Sequence, residues 1–330
     1  MIDIERLAAE KIPLIDKELE KVLPQNTVAN LHDAAWYHIE TGGKKLRPLL
    51  AIVSYEALTN DSIEKILPFA AACDLLHNWI LIHDDIEDGD RVRRDKPAVW
   101  VKFGLAHGIN VGDYMAHKVF ELVLNSKNRG VENEKIFGLV SAIVDTTIRT
   151  AEGQAMDINL RNNNAPTEKE YMDMVIGKTA HYTTVPMVGA AIVAEREELL
   201  PKLIEFGKNI GPAFQIIDDV LDLTEGKGRK EVGRDIKEGK RSILVIHCLS
   251  KCTGDERARL ISILNKSAED TTTDDIHYVN DLFRKYSSID YARKKADELI
   301  AEAKRIADSL PQKLRDILYF FADYSVQRRK

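Results

Sequence analysis

The sequence predicts an all-α fold in a single domain that spans residues 1–330. Apolar residues recur at helical spacing over long stretches, and the alternating pattern of half-buried strands is nearly absent. No Asn-Gly or Asp-Gly turn lies between alternating apolar runs, and no polar or Pro/Gly/Ser-rich linker divides the chain. A solenoid is excluded, because no segment of a few tens of residues repeats.

Local signals mark several helices. The segment Asp61-Ser62-Ile63-Glu64 matches a capping box. In a capping box, the side chain of the first residue accepts a hydrogen bond from the backbone N–H of the fourth residue, and the side chain of the fourth accepts one from the backbone N–H of the first. A second box, Thr167-Glu168-Lys169-Glu170, follows the turn-rich residues 162–166. From Ala292 to Leu310, apolar residues alternate at intervals of three and four until Pro311, which predicts a further helix.

The composition is that of an ordinary globular protein, with 44% hydrophobic and 30% charged residues. A net charge of −6 argues against nucleic-acid binding through bulk electrostatics. No apolar stretch approaches the ~20 residues of a membrane span, and the N-terminal residues lack a signal-peptide layout. Cys73, Cys248 and Cys252 are too scattered for a disulfide framework or a zinc site. We expect a reduced, cytoplasmic protein without a nucleic-acid partner or a membrane span.

Two aspartate-rich segments, residues 84–88 and 218–222, repeat the pattern Asp-Asp-x-x-Asp. On a helix, the first and last carboxylates of each segment lie on one face. Oxygen ligands without a nearby Cys or paired His favour Mg²⁺, which takes its remaining ligands from water and phosphate. One such segment alone is equally compatible with a solvated acidic face. Both, however, interrupt apolar runs, where unpaired carboxylates are costly, so together they predict a metal site.

Cationic clusters accompany the aspartates. Residues 42–48 combine two flexible glycines with three cations, which suits them to bind a phosphate group. Arg93 and Arg94 follow the first aspartate segment, and Lys178 and Thr179 offer an ammonium and a hydroxyl after an amphipathic stretch. Several separate cationic groups beside metal-binding carboxylates indicate two diphosphates, and the apolar surroundings indicate a hydrocarbon tail.

Two further features have two interpretations each. His77 lies seven residues before Asp84, two helical turns along one face, which favours a ligand role over that of an interior histidine. The segment 225–241 carries four glycines and seven cations directly after the second aspartate segment. It is either a solvated surface loop or, as its position favours, a lid over a phosphate-metal cluster.

These motifs and their order resemble the trans-isoprenyl diphosphate synthases of the polyprenyl synthetase family, most closely short-chain geranylgeranyl diphosphate synthases. The matching pieces are the GGK-x-x-RP run from Gly42, both DDxxD segments, Arg93-Arg94, Gly153-Gln154 and Lys178-Thr179. The resemblance covers nearly the whole chain. It implies a helical bundle around a central active-site cavity, with the two aspartate segments facing each other across the mouth.

The resemblance implies a role for each matching residue. It assigns three Mg²⁺ ions per active site to carboxylates of the two segments, with Asp85, Asp219 and Asp222 in support of Asp84, Asp88 and Asp218. Isopentenyl diphosphate would be bound by Gly43, Lys44, Arg47, His77 and Arg94. The allylic diphosphate would be bound by Arg93, Lys178, Lys230 and Lys240. The residues beside the reacting carbon would be Lys178, Thr179 and Gln215, the last two directing oxygens towards the developing carbocation.

Product length is expected to depend on the helix before the first DDxxD segment. In the resembling enzymes, residues there form the floor of the cavity that receives the growing chain. The corresponding positions are Trp79 and Ile80, with Leu76 and Cys73 deeper. One large ring at Trp79 predicts a C20 product, geranylgeranyl diphosphate, with C15 farnesyl diphosphate as the alternative. The alternative interpretation of Trp79 is a ring that only packs against a neighbouring helix.

Two features depart from the family pattern. Gly often follows the paired arginines, and here Asp95 adds a negative charge that either weakens the binding of isopentenyl diphosphate or orients Arg94. The register of the loop lysine is open, because Lys227 and Arg229 flank Lys230 closely.

Two other functions are open to a chain with aspartate-rich segments of this kind. A class I terpene cyclase would lack the GGK-x-x-RP run, and a non-catalytic partner subunit would have lost aspartates from one segment. Neither is true of this chain. The resemblance also implies a homodimer.

Overall fold

The computed structural model describes residues 3–25, 27–223 and 232–326, and it is almost entirely helical. The all-α prediction is confirmed. Contacts divide the chain into two compact units, Met1–Asp145 with Val185–Pro201, and Thr146–Thr184 with Lys202–Lys330. Each unit is described by itself below. The expectation of a single domain stays a prediction.

The helices of the amino-terminal part are α1 (Ile4–Val22), α2 (His32–Ile39), α3 (Leu46–Leu58), α4 (Leu67–Glu87), α5 (Val99–Phe103), α6 (Leu105–Asn125) and α7 (Asn133–Leu160). They are followed by α8 (Glu168–Val175), α9 (His181–Val193), α10 (Leu200–Asp222), α11 (Arg234–Lys237), α12 (Ile243–Lys251), α13 (Gly254–Leu264), α14 (Thr273–Lys285), α15 (Ser288–Ala307) and α16 (Gln312–Val326). Single turns of 3₁₀ helix occur at Ile63–Lys65, Ser126–Arg129 and Glu197–Leu199.

Helix α4 is the centre of the first unit. Every residue from Leu67 to Leu76 is buried, as expected for a helix that is apolar on all sides. It packs against α1, α3 and α6. The approach to α6 is close because α6 carries glycines there: a Cβ on Gly112 would lie 2.1 Å from His83 Nε2, and one on Gly108 would lie 3.0 Å from Ile86 Cδ1. The first DDxxD segment is therefore held on the most deeply packed helix of its unit.

One capping prediction is wrong and one is confirmed. Ser62 accepts a hydrogen bond from the Glu64 backbone N–H at 3.3 Å, but it caps only the 3₁₀ turn Ile63–Lys65. The α-helix begins at Leu67 instead, where Pro68 fits the first turn. At α8 the predicted box is complete, because Thr167 and Glu170 bond each other's backbone N–H groups.

A two-stranded hairpin, which the sequence did not predict, follows the first aspartate segment. Strand β1 (Val92–Arg93) pairs antiparallel with β2 (Lys96–Pro97). The two residues between them, Arg94 and Asp95, have φ of 54° and 62°. A two-residue hairpin turn requires positive φ at both central positions, which favours Gly or Asp. Asp95 therefore stands where the turn requires a left-handed residue, which is a backbone role for this position.

In the second unit, α12 and the pair α15–α16 pack together. Helix α12 packs against α8, α14 and α15, and α15 packs against α16. The predicted helix over 292–310 is observed as α15, which ends at Ala307, before Pro311. Its buried face includes Ala292, Ala296 and Ala303 as predicted, together with Ile300 and Ala307. In neither unit does a described helix have the length and apolar character that crossing a bilayer demands.

Candidate active site

The first DDxxD segment forms the carboxyl-terminal end of α4. Asp84 is partly exposed, Asp85 is buried, and Asp88 caps the helix through a backbone hydrogen bond of 2.9 Å to the Asp84 carbonyl. The carboxyl end of a helix carries partial negative charge, so three carboxylates at this place are electrostatically unfavourable without cations. The fold concentrates negative charge where a cation would be held.

Arg93 supplies one of these cations. Its Nε donates to Asp85 Oδ1 at 2.8 Å, and one terminal nitrogen lies 3.4 Å from Asp90 and 3.8 Å from Asp84. Burial opposes its charge, yet the neighbouring Asp85 carboxylate raises the pKa of the guanidinium above its usual value. Arg93 thus contacts the aspartate cluster directly. Its predicted contact with the allylic diphosphate stays a prediction.

The predicted residues for isopentenyl diphosphate come from four separate elements. The glycine loop holds Gly43 and exposed Lys44, the first turn of α3 holds Arg47, α4 holds His77, and the hairpin turn holds Arg94. A Cβ on Gly43 would lie 2.9 Å from an Arg94 terminal nitrogen, and the φ of 145° at this position also favours glycine, so glycine allows this approach without strain. Arg94 also donates to Thr41 Oγ1 at 3.3 Å. The structure brings the glycine loop and Arg94 into contact.

Two imidazoles lie among these arginines. Burial, followed by Arg47, Arg94, Arg93 and His38, holds the pKa of His77 well below its usual value. Burial, followed by Arg94 and Arg93, lowers the pKa of His38 to about 3. Both imidazoles are therefore neutral at neutral pH, and the cluster keeps positive charge on its arginines. Such a cluster is suited to bind a phosphate group.

Lys45, the third cation of the glycine loop, has a different position. Its Nζ lies 2.5 Å from Asp16 Oδ1 and 3.1 Å from Asp74 Oδ2, and its backbone has φ of 43°. The side chain joins α1 to α4. Of the three cations in this run, Lys45 is a structural residue.

The four residues of the predicted cavity floor all lie on α4. Leu76 and Cys73 are buried, whereas Trp79 and Ile80 are half-buried and pack against the core of the first unit. The Trp79 indole N–H donates to His83 Nδ1 at 3.3 Å, and His83 Nε2 lies 3.3 Å from the Ile109 carbonyl of α6. Trp79 is therefore oriented through His83 against a neighbouring helix. Its part in product length stays a prediction.

The second DDxxD segment ends α10, and its carboxylates differ in environment. Asp218 is partly exposed, whereas Asp219 and Asp222 are buried. Asp219 accepts hydrogen bonds from the Tyr171 hydroxyl at 2.8 Å and from Gln215 Nε2 at 2.9 Å. Asp222 Oδ2 accepts from the Asp235 backbone N–H at 2.9 Å, at the start of α11. In both segments the second aspartate is buried and bonded to protein donors, while the first is more exposed.

Lys178 and Thr179 lie in a turn of π-helix, Ile176–Ala180. Turns of π-helix are rare in proteins, and those that do occur are often found at functional sites. Glycines of α7 and α10 leave room for this π-helical turn. A Cβ on Gly153 would lie 2.1 Å from the Lys178 backbone nitrogen, and a Cβ on Gly211 would lie 2.5 Å from Ala180 Cα. The Gly153-Gln154 motif thus has a packing reason for its glycine.

The side chains of this turn have polar partners in the second unit. Lys178 Nζ donates to Asp157 Oδ2 at 2.8 Å, and Asp157 is buried on α7. Thr179, also buried, has its hydroxyl 3.5 Å from Gln215 Oε1. The predicted residues Thr179, Gln215 and Asp219 therefore form one connected group.

The basic segment after α10 is described only in part. Lys230 lies outside the described residues, as do Lys227 and Arg229. Lys240 Nζ lies 2.8 Å from Glu238 and 3.4 Å from Asp235. The next residue, Arg241, is buried and donates to the Asn163 carbonyl at 2.9 Å and to Asn265 Oδ1 at 2.6 Å. Arg241 thus fixes the chain directly after Lys240.

Sequence reasoning missed several of these residues. Tyr171, Asp157 and His38 carry no motif of their own, and each acts through a partner that is distant in sequence or through burial. Arg241 was counted among the cations of segment 225–241, but its burial was not predicted. Asp157 alone had a local signal, because it follows Gly153 by one helical turn on α7.

Comparison with known proteins shows what the whole chain is similar to. The model of the polyprenyl synthetase family matches residues 28–282. The short chain isoprenyl diphosphate synthase of Methanocaldococcus jannaschii is 41% identical over 78% of this chain and 77% of its own. The geranylgeranyl diphosphate synthase of Saccharolobus solfataricus is 37% identical over 91% of both chains.

A solved structure extends this similarity to the fold. The crystal structure of geranylgeranyl pyrophosphate synthetase from Pyrococcus horikoshii Ot3 superposes with a TM-score of 0.88, at 34% identity, over 98% of both chains. The predictions of family and of a prenyltransferase enzyme, made from the sequence, are confirmed. The chain belongs to the polyprenyl synthetase family.

Proposed function

We propose that this chain is a Mg²⁺-dependent trans-prenyltransferase that condenses isopentenyl diphosphate with an allylic diphosphate, ending mainly at geranylgeranyl diphosphate. The observation that carries the proposal is the presence of two complete DDxxD segments in a chain that also has a separate arginine cluster beside a glycine loop. The names of the similar proteins support a short-chain product. Farnesyl diphosphate is the alternative product.

The donor atoms fit Mg²⁺. Each segment offers carboxylate oxygens at the end of a helix, and the partly exposed aspartates are Asp84, Asp88 and Asp218. Among the described residues, no three His, Cys, Asp or Glu groups converge on one point. The carboxylates of the two segments suit Mg²⁺ because this ion binds through one or two carboxylates together with water and substrate phosphates. We propose that three ions are bound in this way, by Asp84, Asp88 and Asp218 with support from Asp85, Asp219 and Asp222.

The reaction follows from the charges that these residues carry. When bound, Mg²⁺ would neutralise the allylic diphosphate so that it can act as a leaving group. Arg93, Lys178 and the basic segment with Lys230 and Lys240 are proposed to hold this diphosphate. As the allylic C–O bond breaks, the Thr179 hydroxyl and the Gln215 amide present oxygens to the developing positive charge.

The second substrate is proposed to bind at the arginine cluster. Gly43 leaves space beside Arg94, and Lys44, Arg47 and Arg94 supply positive charge for the diphosphate of isopentenyl diphosphate, with neutral His77 beside them. Its double bond attacks the allylic carbon, a C–C bond forms, and the adjacent proton leaves to an oxygen of the departing diphosphate. Apolar walls that exclude water would protect the cation.

The experiment is to incubate the purified chain with Mg²⁺, isopentenyl diphosphate and dimethylallyl diphosphate, and to size the dephosphorylated alcohols. We expect a mainly C20 alcohol that requires both substrates and the metal. A C15 or C25 alcohol would revise the product, and dominant C30 or longer chains would contradict the short-chain proposal. Hydrocarbon formed without isopentenyl diphosphate would indicate a terpene cyclase, and no turnover by the chain alone would indicate a partner subunit. Light scattering on the same preparation tests the proposed homodimer.

A further inference from the structure

The Tyr171 hydroxyl is the feature that the proposed function leaves without a role. Tyr171 is 1% exposed on α8, and its hydroxyl donates to Asp219 Oδ2 at 2.8 Å. The Thr167–Glu170 capping box fixes the first turn of this helix. A rigidly held donor thus faces the second aspartate of the second DDxxD segment.

Asp219 passes this orientation on to Gln215. The Asp219 Oδ2 atom receives the tyrosine, and its Oδ1 atom receives Gln215 Nε2 at 2.9 Å. A glutamine amide has a donor end and an acceptor end. Because the donor end is bound to Asp219, the acceptor end, Oε1, is directed to the other side. There it lies 3.5 Å from the Thr179 hydroxyl, at the limit of hydrogen-bonding distance.

The direction of the amide decides the sign of its electrostatic effect. An amide oxygen carries partial negative charge and stabilises a nearby cation, whereas the NH₂ end would repel it. A side-chain amide has little intrinsic preference between its two orientations, so the surrounding hydrogen bonds determine which one is populated. Here those bonds come from a carboxylate that is itself held by Tyr171.

We propose that Tyr171 is a positioning residue that acts through Asp219 to hold the Gln215 amide with its oxygen beside the Thr179 hydroxyl. This inference rests on the proposed function, in which these two oxygens stabilise the allylic carbocation. Tyr171 contacts neither substrate in this account. Its effect is on the step that forms the cation.

The first test is Tyr171→Phe, which removes one hydroxyl and keeps the ring. With enzyme in excess over a labelled allylic diphosphate, the single-turnover rate of condensation should fall by about 10- to 100-fold, as for loss of an electrostatic contact in a transition state. The Michaelis constant for isopentenyl diphosphate should change by less than about twofold. A merely structural tyrosine would not separate these two quantities.

Tyr286→Phe is the matched control. It also removes a tyrosine–carboxylate hydrogen bond of the second unit, from Tyr286 to Glu256 Oε2 at 2.5 Å. This variant should keep the wild-type single-turnover rate within about twofold, since Tyr286 has no connection to Gln215 in the proposal. Circular dichroism and the thermal midpoint of both variants report whether the fold is intact.

A double-mutant cycle with Gln215→Met tests the route of the effect. Methionine has a similar length and no amide, so Gln215→Met alone should lower the single-turnover rate at least as much as Tyr171→Phe. In the Gln215→Met background, Tyr171→Phe should change the rate by less than about twofold. Multiplicative effects, or a Tyr171→Phe enzyme with more than half of the wild-type rate, would overturn the proposal.

Gln215→Met alone stays informative if Tyr171→Phe does not fold. Gln215 is only half-buried, and a normal rate in Gln215→Met would overturn the proposal by itself. Failure of the proposed function has a different signature, because the wild-type chain would then form no condensation product at all.

Discussion

The neutral His38 at the arginine cluster makes the stability of the protein depend on pH. His38 is 1% exposed on α2, and burial with Arg94 and Arg93 lowers its pKa from 6.5 to about 3. In the unfolded chain the imidazole binds a proton near its ordinary pKa, and in the folded protein it does not. Between these two pKa values the unfolded state holds more protons, so acid favours unfolding. The stabilisation is complete above pH 6.5 and is lost as the pH falls towards 3.

The magnitude follows from the two pKa values. Lowering the pH from about 7.5 to about 5 takes the solution roughly 1.5 units below the unfolded pKa, at ~1.36 kcal/mol per unit. The folded imidazole stays neutral over this range. His38 alone should therefore remove about 2 kcal/mol from the free energy of unfolding.

The assay is urea denaturation at both pH values, followed by circular dichroism, for the wild type and His38→Asn. Other titrating groups act equally in both proteins and cancel in the comparison, so the variant should lose about 2 kcal/mol less than the wild type on acidification. His277→Asn, which removes an exposed imidazole, is the control and should behave as the wild type. Equal losses in the wild type and His38→Asn would refute the reasoning.

Three further predictions concern substrate binding, product length and packing. Lys44→Ala and Arg47→Ala should chiefly raise the Michaelis constant for isopentenyl diphosphate, whereas Lys178→Ala should chiefly raise the Michaelis constant for the allylic substrate. Steady-state titration of each substrate checks this prediction. Equal effects of all three variants on both constants would contradict two separate binding sites. Trp79→Ala should give longer alcohols than the wild type, because the cavity floor moves deeper; an unchanged product spectrum would mean that another residue ends the chain. Gly153→Ala should destabilise the protein by about 1–3 kcal/mol in thermal or urea unfolding, since its Cβ would lie 2.1 Å from the Lys178 backbone. Gly138→Ala on the same helix, whose nearest neighbour would lie at 3.4 Å, should be neutral or stabilising by up to ~1 kcal/mol; destabilisation by both variants to the same extent would contradict the packing argument.

Local patterns in the sequence predicted the features that local physics controls. The spacing of apolar residues correctly predicted the helix observed as α15. The capping box of Thr167 and Glu170 correctly predicted the start of α8. The same pattern at Asp61 was misleading, because Pro68 lies in the first turn of the helix that follows and the residues before it form a 3₁₀ turn. The hairpin at Arg94 was missed since it has only two residues per strand and lacks a glycine.

The candidate site was predictable where motif residues act directly, and not where they act through partners. Asp84, Asp88 and Asp218 are the partly exposed aspartates of the two segments, and their role as metal ligands stays a prediction. The bond from Tyr171 to Asp219 joins residues 48 positions apart, and no spacing rule predicts it. His38 owes its pKa to burial and to arginines of another element, which only the folded chain brings together.

The central claim is that both DDxxD segments act in one reaction, and the most direct test is the turnover of Asp84→Ala and Asp218→Ala in saturating Mg²⁺. Asp281→Ala, which removes an exposed carboxylate of the second unit, is the control. Each motif variant should lose several orders of magnitude in turnover with its fold intact, because a carboxylate that neutralises the leaving group is lost in the transition state. If either variant kept more than about a tenth of the wild-type turnover, a loss of less than ~1.4 kcal/mol in barrier stabilisation, the claim would be contradicted.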